Sequence, residues 1–147
     1  MNDLHISDNE PIFSISAAAK LLNISVHTLR MYEREGLFIP FKKDSNQRLY
    51  SKADINRLTC IRAAINETKI SINGIKAIYS MIPCWEIKNC SQKERKNCKA
   101  YNGVHEPCWS YEHKGNSCET ENCRECNVYK EYSECGKIKE LMKTIIK

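Results

Sequence analysis

The chain has 147 residues, is 41% hydrophobic and 28% charged, and carries a formal net charge of +5. This is a globular balance, and the length allows one ordinary domain or two small ones. It contains no apolar run of about 18 residues, so no membrane span is expected. The polar, acidic start MNDLHISDNE has no apolar stretch after a basic one, which argues against a secretory signal and for a cytoplasmic location.

In chain order, residues 1–12 read as a flexible N-terminus. Ser14 or Ser16 can cap a first short helix over Ala17–Leu22, with Ala18, Leu21 and Leu22 on its buried face. Asn23-Ile24 makes a tight turn. Ser25 caps a second helix, Val26–Glu35, that Gly36 ends. The segment Leu37–Tyr50 has Pro40, a basic and polar centre (KKDSNQR) and apolar flanks, and reads as a small β-hairpin wing. Ser51 caps a third helix, Lys52–Asn66, with Ile55, Leu58, Ile61 and Ile65 inward. Ser71 caps a fourth, Ile72–Met81, and Pro83 marks a boundary. The tail 136–147 is amphipathic, with Ile138, Leu141, Met142, Ile145 and Ile146 on one face. That face suits either docking on its own domain or a dimer contact.

Two short helices joined by a tight turn make a helix-turn-helix, whose second helix enters the major groove. The exposed positions of that helix are Ser25, His27, Thr28, Arg30 and Arg34, groups that donate to base edges and phosphates. The wing adds Lys42, Lys43, Arg48 and Tyr50. Between Lys20 and Arg62 there are nine Lys or Arg against four Asp or Glu, an excess that suits a phosphate-facing surface.

The stretch from Ser25 to Leu37 (SV-x-TLR-x-YE-x-EGL), then Pro40, then Arg48 to Leu58 (R-x-Y-S-x-x-D-I-x-R-L), resembles the MerR family of winged helix-turn-helix regulators in order and spacing. The continuation ISINGIKAIYSMI resembles its heat-shock and nitrogen-metabolism repressor branch. The resemblance implies a DNA-contacting set of Ser25, Thr28, Arg30, Tyr32, Arg48 and Tyr50, with Tyr32 equally suited to packing helix against wing. It also implies a homodimer on double-stranded DNA, acting with RNA polymerase at a promoter. Met31 stands where the family often has Tyr, and the family's long dimerisation helix is not evident after Met81.

Eight of the nine cysteines fall in residues 84–147. Residues 83–131 contain an internal repeat. The first copy has Cys84-Trp85, Cys90, Cys98 and Tyr101. The second has Cys108-Trp109, Cys118, Cys126 and Tyr129. Both begin Pro-Cys-Trp and both end Cys-x-x-Tyr, a pattern that resembles the "two-CW" module. A segment with so few aliphatic residues needs staples. The thiols of Cys84, Cys90, Cys98, Cys108, Cys118, Cys123, Cys126 and Cys135 are therefore candidate ligands for zinc or an iron–sulfur cluster. Reversible thiol–disulfide switching, fixed disulfides and plain buried cysteines are the alternatives. His105 and His113 are spare ligands or solvated loop residues, Trp85 and Trp109 hydrophobic plugs, and Cys60 a small core residue.

The expected fold is mainly α: a winged helix-turn-helix of four short helices and a small β-hairpin wing over 13–82, a cysteine-rich, loop-rich module over 83–131, and a C-terminal amphipathic helix over 132–147. The expected function is sequence-specific transcriptional regulation with a metal- or redox-responsive effector module. A thiol- or metal-handling or protein-interaction module attached to a helix-turn-helix is the alternative. No nucleophile–base constellation or phosphate loop occurs, so no enzyme is expected.

Overall fold

The computed structural model of the protein describes residues 6–132 and 136–145. Four serines set the helix starts of the first half. Ser14 Oγ accepts from the Ala17 amide at 3.1 Å and opens α1, Ile15–Leu22. Ser25 Oγ accepts from Thr28 at 3.0 Å and opens α2, Val26–Arg34. Ser51 and Asp54 form a reciprocal capping box at the start of α3, Lys52–Asn66. Ser71 caps α4, Ile72–Ser80. Each cap satisfies an amide with no partner inside its helix and contributes about 1 kcal/mol. Asn23, at φ 55°, makes the turn between α1 and α2, and Gly36, at φ 78°, follows α2.

The wing is a hairpin of β2 (Phe41–Lys42) and β3 (Arg48–Tyr50), joined by a further strand, β1 (Phe13–Ser14). The antiparallel order is β1-β3-β2, with Phe13 opposite Tyr50 and Lys42 opposite Arg48. Leu21 is an exception to the expected core, being 59% exposed, whereas Ala18 and Ala19 are buried. The inward face of α1 centres between Ile15, Ala18, Ala19 and Leu22, and at 3.6 residues per turn Leu21 lies roughly 110° away from that centre.

The second half, expected to be loop-rich, is built from short helical turns. These are α5 (Cys84–Ile87), α6 (Gln92–Lys96), α7 (Lys99–Asn102), 3-10 turns at Cys108–Ser110 and Cys123–Glu125, and α8 (Asn127–Tyr132). The sequence repeat is also a packing repeat. Trp85 meets Tyr101 edge-on at 5.1 Å and 88°, and Trp109 meets Tyr129 edge-on at 5.2 Å and 87°. Each Cys-Trp thus closes on the tyrosine of its own Cys-x-x-Tyr, with Ala100 and Val128 buried at matching positions. Aromatic pairs in this geometry add about 1 kcal/mol beyond the area they bury.

One core runs through both halves. Leu29, Leu37, Tyr50, Leu58 and Ile61 share it with Cys126, Val128 and Leu141. Leu141 belongs to the terminal helix α9, Lys137–Ile145, whose Ile138 packs on the core while Ile145 is 42% exposed. Ile146 lies outside the described residues. Among the described residues, no helix is long and apolar enough to cross a membrane.

Candidate nucleic-acid interface and its thiol module

On α2, the buried residues Leu29 and Tyr32 define the inward face. The opposite side carries Ser25, His27, Arg30 and Arg34, all exposed, with Thr28 half-buried beside them. Ser25 Oγ and Thr28 Oγ1 lie 2.9 Å apart, so one hydroxyl pair both caps the helix and faces solvent. Arg30 and Arg34 have no ion-pair partner among the described residues, which leaves their guanidinium donors available to an anion. The helix end, the exposed arginines and the wing lie together because Glu33 ties α2 to β3. Arg48 donates through Nε to Glu33 Oε1 and through Nη2 to Oε2 at 3.0 Å. That hydrogen-bonded contact raises the Arg48 pKa, and Lys42 Nζ sits 3.8 Å from the same carboxylate. Lys43 is exposed at the tip.

Three residues of the expected contact set stand differently. Tyr32 is 2% exposed and its hydroxyl accepts from Arg62 at 3.4 Å, so it packs in the core rather than offering itself to DNA. Tyr50 is fully buried against Phe38, and its hydroxyl has no hydrogen-bond partner among the described residues. Burial pushes this phenol up to about 12, and it has no surface with which to meet a phosphate. Arg48 is committed to Glu33 and keeps part of its five-donor fork for other partners. The exposed set is therefore Ser25, His27, Arg30, Arg34, Lys42 and Lys43, with Thr28 beside it.

The cysteine half docks on the back of this surface through contacts that the sequence does not announce. Arg124, in the turn Cys123–Glu125, reaches Asp54 Oδ1 at 3.0 Å and Oδ2 at 2.8 Å and also donates to the Ile39 carbonyl. Asp54 is 2% exposed and also accepts from Arg57 at 3.3 Å. Arg57 lies over the Tyr129 ring at 4.2 Å and donates to the Tyr129 carbonyl. Tyr129 Oη accepts from the Ile39 amide at 2.8 Å. Trp109 Nε1 donates to the Gly36 carbonyl at 2.7 Å. Gly36 and Ile39 flank the turn from α2 to the wing, so the module holds the backbone that sets the angle between helix and wing. These partners are 70 to 90 residues apart in sequence, and no local pattern marks them.

The thiols gather around a small cavity of about 30 Å³ lined by Cys84, Cys90, Cys98, Cys108 and Cys118, with Trp85 and His113. Cys84 and Cys108, the equivalent first cysteines of the two repeats, both line it and pack on the core. The neighbouring Cys108 holds the Cys84 thiol below its usual range, and Cys84 with burial drives the Cys108 thiol upward. Burial and the neighbouring thiols raise Cys118 to about 12, and burial raises Cys90 and Cys123. His113 Nε2 lies 2.9 Å from the Cys108 carbonyl, whereas His105 is exposed.

Among the described residues, no three Cys, His, Asp or Glu side chains converge in a way that could hold a metal ion. The expected zinc set of Cys84, Cys90, Cys98, Cys108, Cys118, Cys123 and Cys126 is thus not assembled as a tetrahedral thiolate site, which needs four sulfurs about 2.3 Å from one centre. Cys135 lies outside the described residues. Cys60, expected as a small core residue, is half-buried and disulfide-bonded.

A family model described as "MerR HTH family regulatory protein" matches residues 13–82. Relatives match over stretches of 65 to 80 residues. A protein of Streptomyces coelicolor named heat shock protein HspR is 32% identical over 80 residues, 54% of this chain and 53% of that one. The HTH-type transcriptional regulator YyaN of Bacillus subtilis is 40% identical over 65 residues, 44% of this chain and 46% of its own. A protein of Haemophilus influenzae named as a homolog of the HTH-type transcriptional regulator ZntR is 38% identical over 68 residues, 46% and 50% of the two chains. The chain spans about half the length of the curated relatives it matches. With the capped helix pair, the exposed face of α2 and the hairpin wing in place, residues 13–82 are a MerR-family helix-turn-helix domain.

Proposed function

We propose that this chain is a sequence-specific, DNA-binding transcriptional regulator that lays α2 in the major groove and sets its wing against the flanking backbone. The observation that carries this reading is the exposed row of Ser25, His27, Arg30 and Arg34, flanked by Lys42 and Lys43, on a domain of this family. Ser25, Thr28 and Arg30 read or clamp at the helix, and Lys42, Lys43 and part of Arg48 grip phosphates at the wing. The working form is a homodimer on a palindromic operator, with RNA polymerase as the neighbour at the promoter. Footprinting of the full chain on its own upstream DNA tests this. A protected two-fold site supports the reading, and uniform weak binding to all sequences overturns it.

The second half, residues 83–131, is the effector module in this reading. Its support is the polar clamp of Arg124, Arg57 and Tyr129 on Asp54 and Ile39, through which a change at the thiols reaches the wing. A thiophilic metal is the second reading, favoured by five cysteines around one cavity. Elemental analysis and a visible spectrum of anaerobically purified protein test it. One or more equivalents of zinc or iron per chain support a metal-responsive module. Metal-free protein with free thiols leaves the module thiol-responsive.

A further inference from the structure

The end of α2 is gripped from the second half at two points. The helix stops at Arg34, and Glu35 and Gly36 turn the chain toward the wing. Residues 106–110 of the second half lie against this turn. Trp109 Nε1 donates to the Gly36 carbonyl at 2.7 Å. The Trp109 ring sits between Tyr79 of α4, at 5.3 Å, and Tyr129, at 5.2 Å, so its N–H is held in one place. A side chain at Gly36 would meet Ser110 Oγ at 2.6 Å, which leaves no room between turn and segment. The second point is Lys76 of α4, only 9% exposed. Its Nζ lies 3.3 Å from Glu35 Oε2 and 2.9 Å from Glu106 Oε1, so one ammonium joins the helix end to the second half.

Both contacts bear on where the helix points. A carboxylate at a helix C-terminus is opposed by the helix dipole, and Lys76 offsets the charge of Glu35 there. At about 1.5 Å per residue, Arg34 stands roughly 14 Å along the axis from Ser25. A tilt of about 10° around the capped start would move the Arg34 end by about 2 Å, more than a hydrogen bond to a base edge tolerates. The wing lysines, on flexible four-carbon stems, can follow a phosphate through the same tilt. Loss of the grip therefore acts on base reading before it acts on phosphate binding.

We propose that Glu106 and Trp109 are positioning residues that fix the tilt of α2 and so set how sharply this chain discriminates one DNA sequence from another. The proposal rests on the reading of this chain as a DNA-binding regulator. Glu106 acts through Lys76 on Glu35, and Trp109 acts on the Gly36 carbonyl. Both work through the helix end and not through a contact with DNA.

The test uses the full chain and two variants. Trp109→Phe keeps an aromatic ring between the two tyrosines and loses the N–H donor. Glu106→Gln keeps the shape and loses the charge. The wild-type chain first selects a duplex from a random-sequence pool, and each protein is titrated against that duplex and a scrambled one across salt concentrations. Trp109→Phe is expected to bind the selected duplex about tenfold more weakly and the scrambled one within about twofold of wild type. Its salt slope on the scrambled duplex is expected to match wild type. Glu106→Gln is expected to lower the same ratio by about threefold. Equal losses on both duplexes, or no loss on either, overturn the positioning role, and an unchanged ratio in Glu106→Gln overturns the part of that carboxylate. Amide hydrogen exchange reads the helix end directly. The Gly36 and Leu37 amides, which donate to the Glu33 and Tyr32 carbonyls, are expected to exchange faster in Trp109→Phe, with α3 unchanged. Wild-type exchange at both overturns the grip. If the wild-type chain selects no duplex, the DNA-binding reading fails, and the exchange rates still decide whether Trp109 anchors the helix end.

Discussion

The two halves of this molecule are held together by different physics. In residues 13–82, each helix start is a serine cap within three residues of the amide it serves, and the core follows helical spacing. In residues 84–132, the stabilising contacts are two tryptophan–tyrosine pairs and a set of polar clamps onto the other half. The first half could hold its own secondary structure locally. The second has few aliphatic residues and closes by leaning on its neighbour.

The largest effect that tests this contrast is at Arg124. Arg124→Ala leaves Asp54 buried with Arg57 and its capping amide as remaining partners. Losing one partner of a buried ion pair costs about 3 kcal/mol at the low end of the usual range. Urea unfolding of the variant should show that loss, and a change under about 1 kcal/mol would mean that the clamp is not what joins the halves.

Next in size is the DNA surface. Arg30→Ala should weaken operator binding at least about tenfold, near 1.4 kcal/mol, with unfolding unchanged. Arg48→Ala should lower both affinity and stability, because it also frees Glu33 beside the recognition helix. Equal behaviour of the two variants in unfolding would remove the structural role assigned to the Arg48–Glu33 pair.

The smallest effect separates the buried tyrosine from the exposed face. Tyr50→Phe removes a hydroxyl that has no hydrogen-bond partner among the described residues and should raise stability by about 1 kcal/mol without changing DNA affinity. The same variant has a pH signature. Burial raises the Tyr50 phenol to about 12, whereas the unfolded chain ionises near 10. Its contribution to stability is therefore fully present below about pH 10 and is lost as pH rises toward 12, at up to about 1.4 kcal/mol per pH unit. The Phe variant should show a shallower alkaline decline, with the shares of Tyr79 and Tyr129, also raised by burial, remaining. A lost operator affinity in Tyr50→Phe would restore Tyr50 to the contact set.

How much was legible follows the same division. The serine caps, Asn23 and Gly36 are short-range consequences of residue type and lie where the sequence puts them, and the hairpin falls inside the expected segment Leu37–Tyr50, its first strand starting at Phe41. Which tyrosines stand exposed beside α2 and the wing was not legible. Tyr32 and Tyr50 carry polar tips that suit either a core or a phosphate, and only the packing against Phe38 and α3 decides between them. The arginine clamp was also hidden, because Arg124 and Asp54 each look like ordinary surface charges until the fold brings them together.

The repeat in the cysteine half was visible as a string, and its pairing of tryptophan with tyrosine turned out to be its structural content. The sequence alone determined that a helix-turn-helix stands first, where its caps lie, and that two Cys-Trp units follow. Only the tertiary structure decided that five of the thiols share one cavity and that the turn carrying Trp109 rests on Gly36 at the end of α2. The reason is range: caps and periodicity act within a turn or two of helix, whereas contacts across 70 residues depend on how whole elements pack.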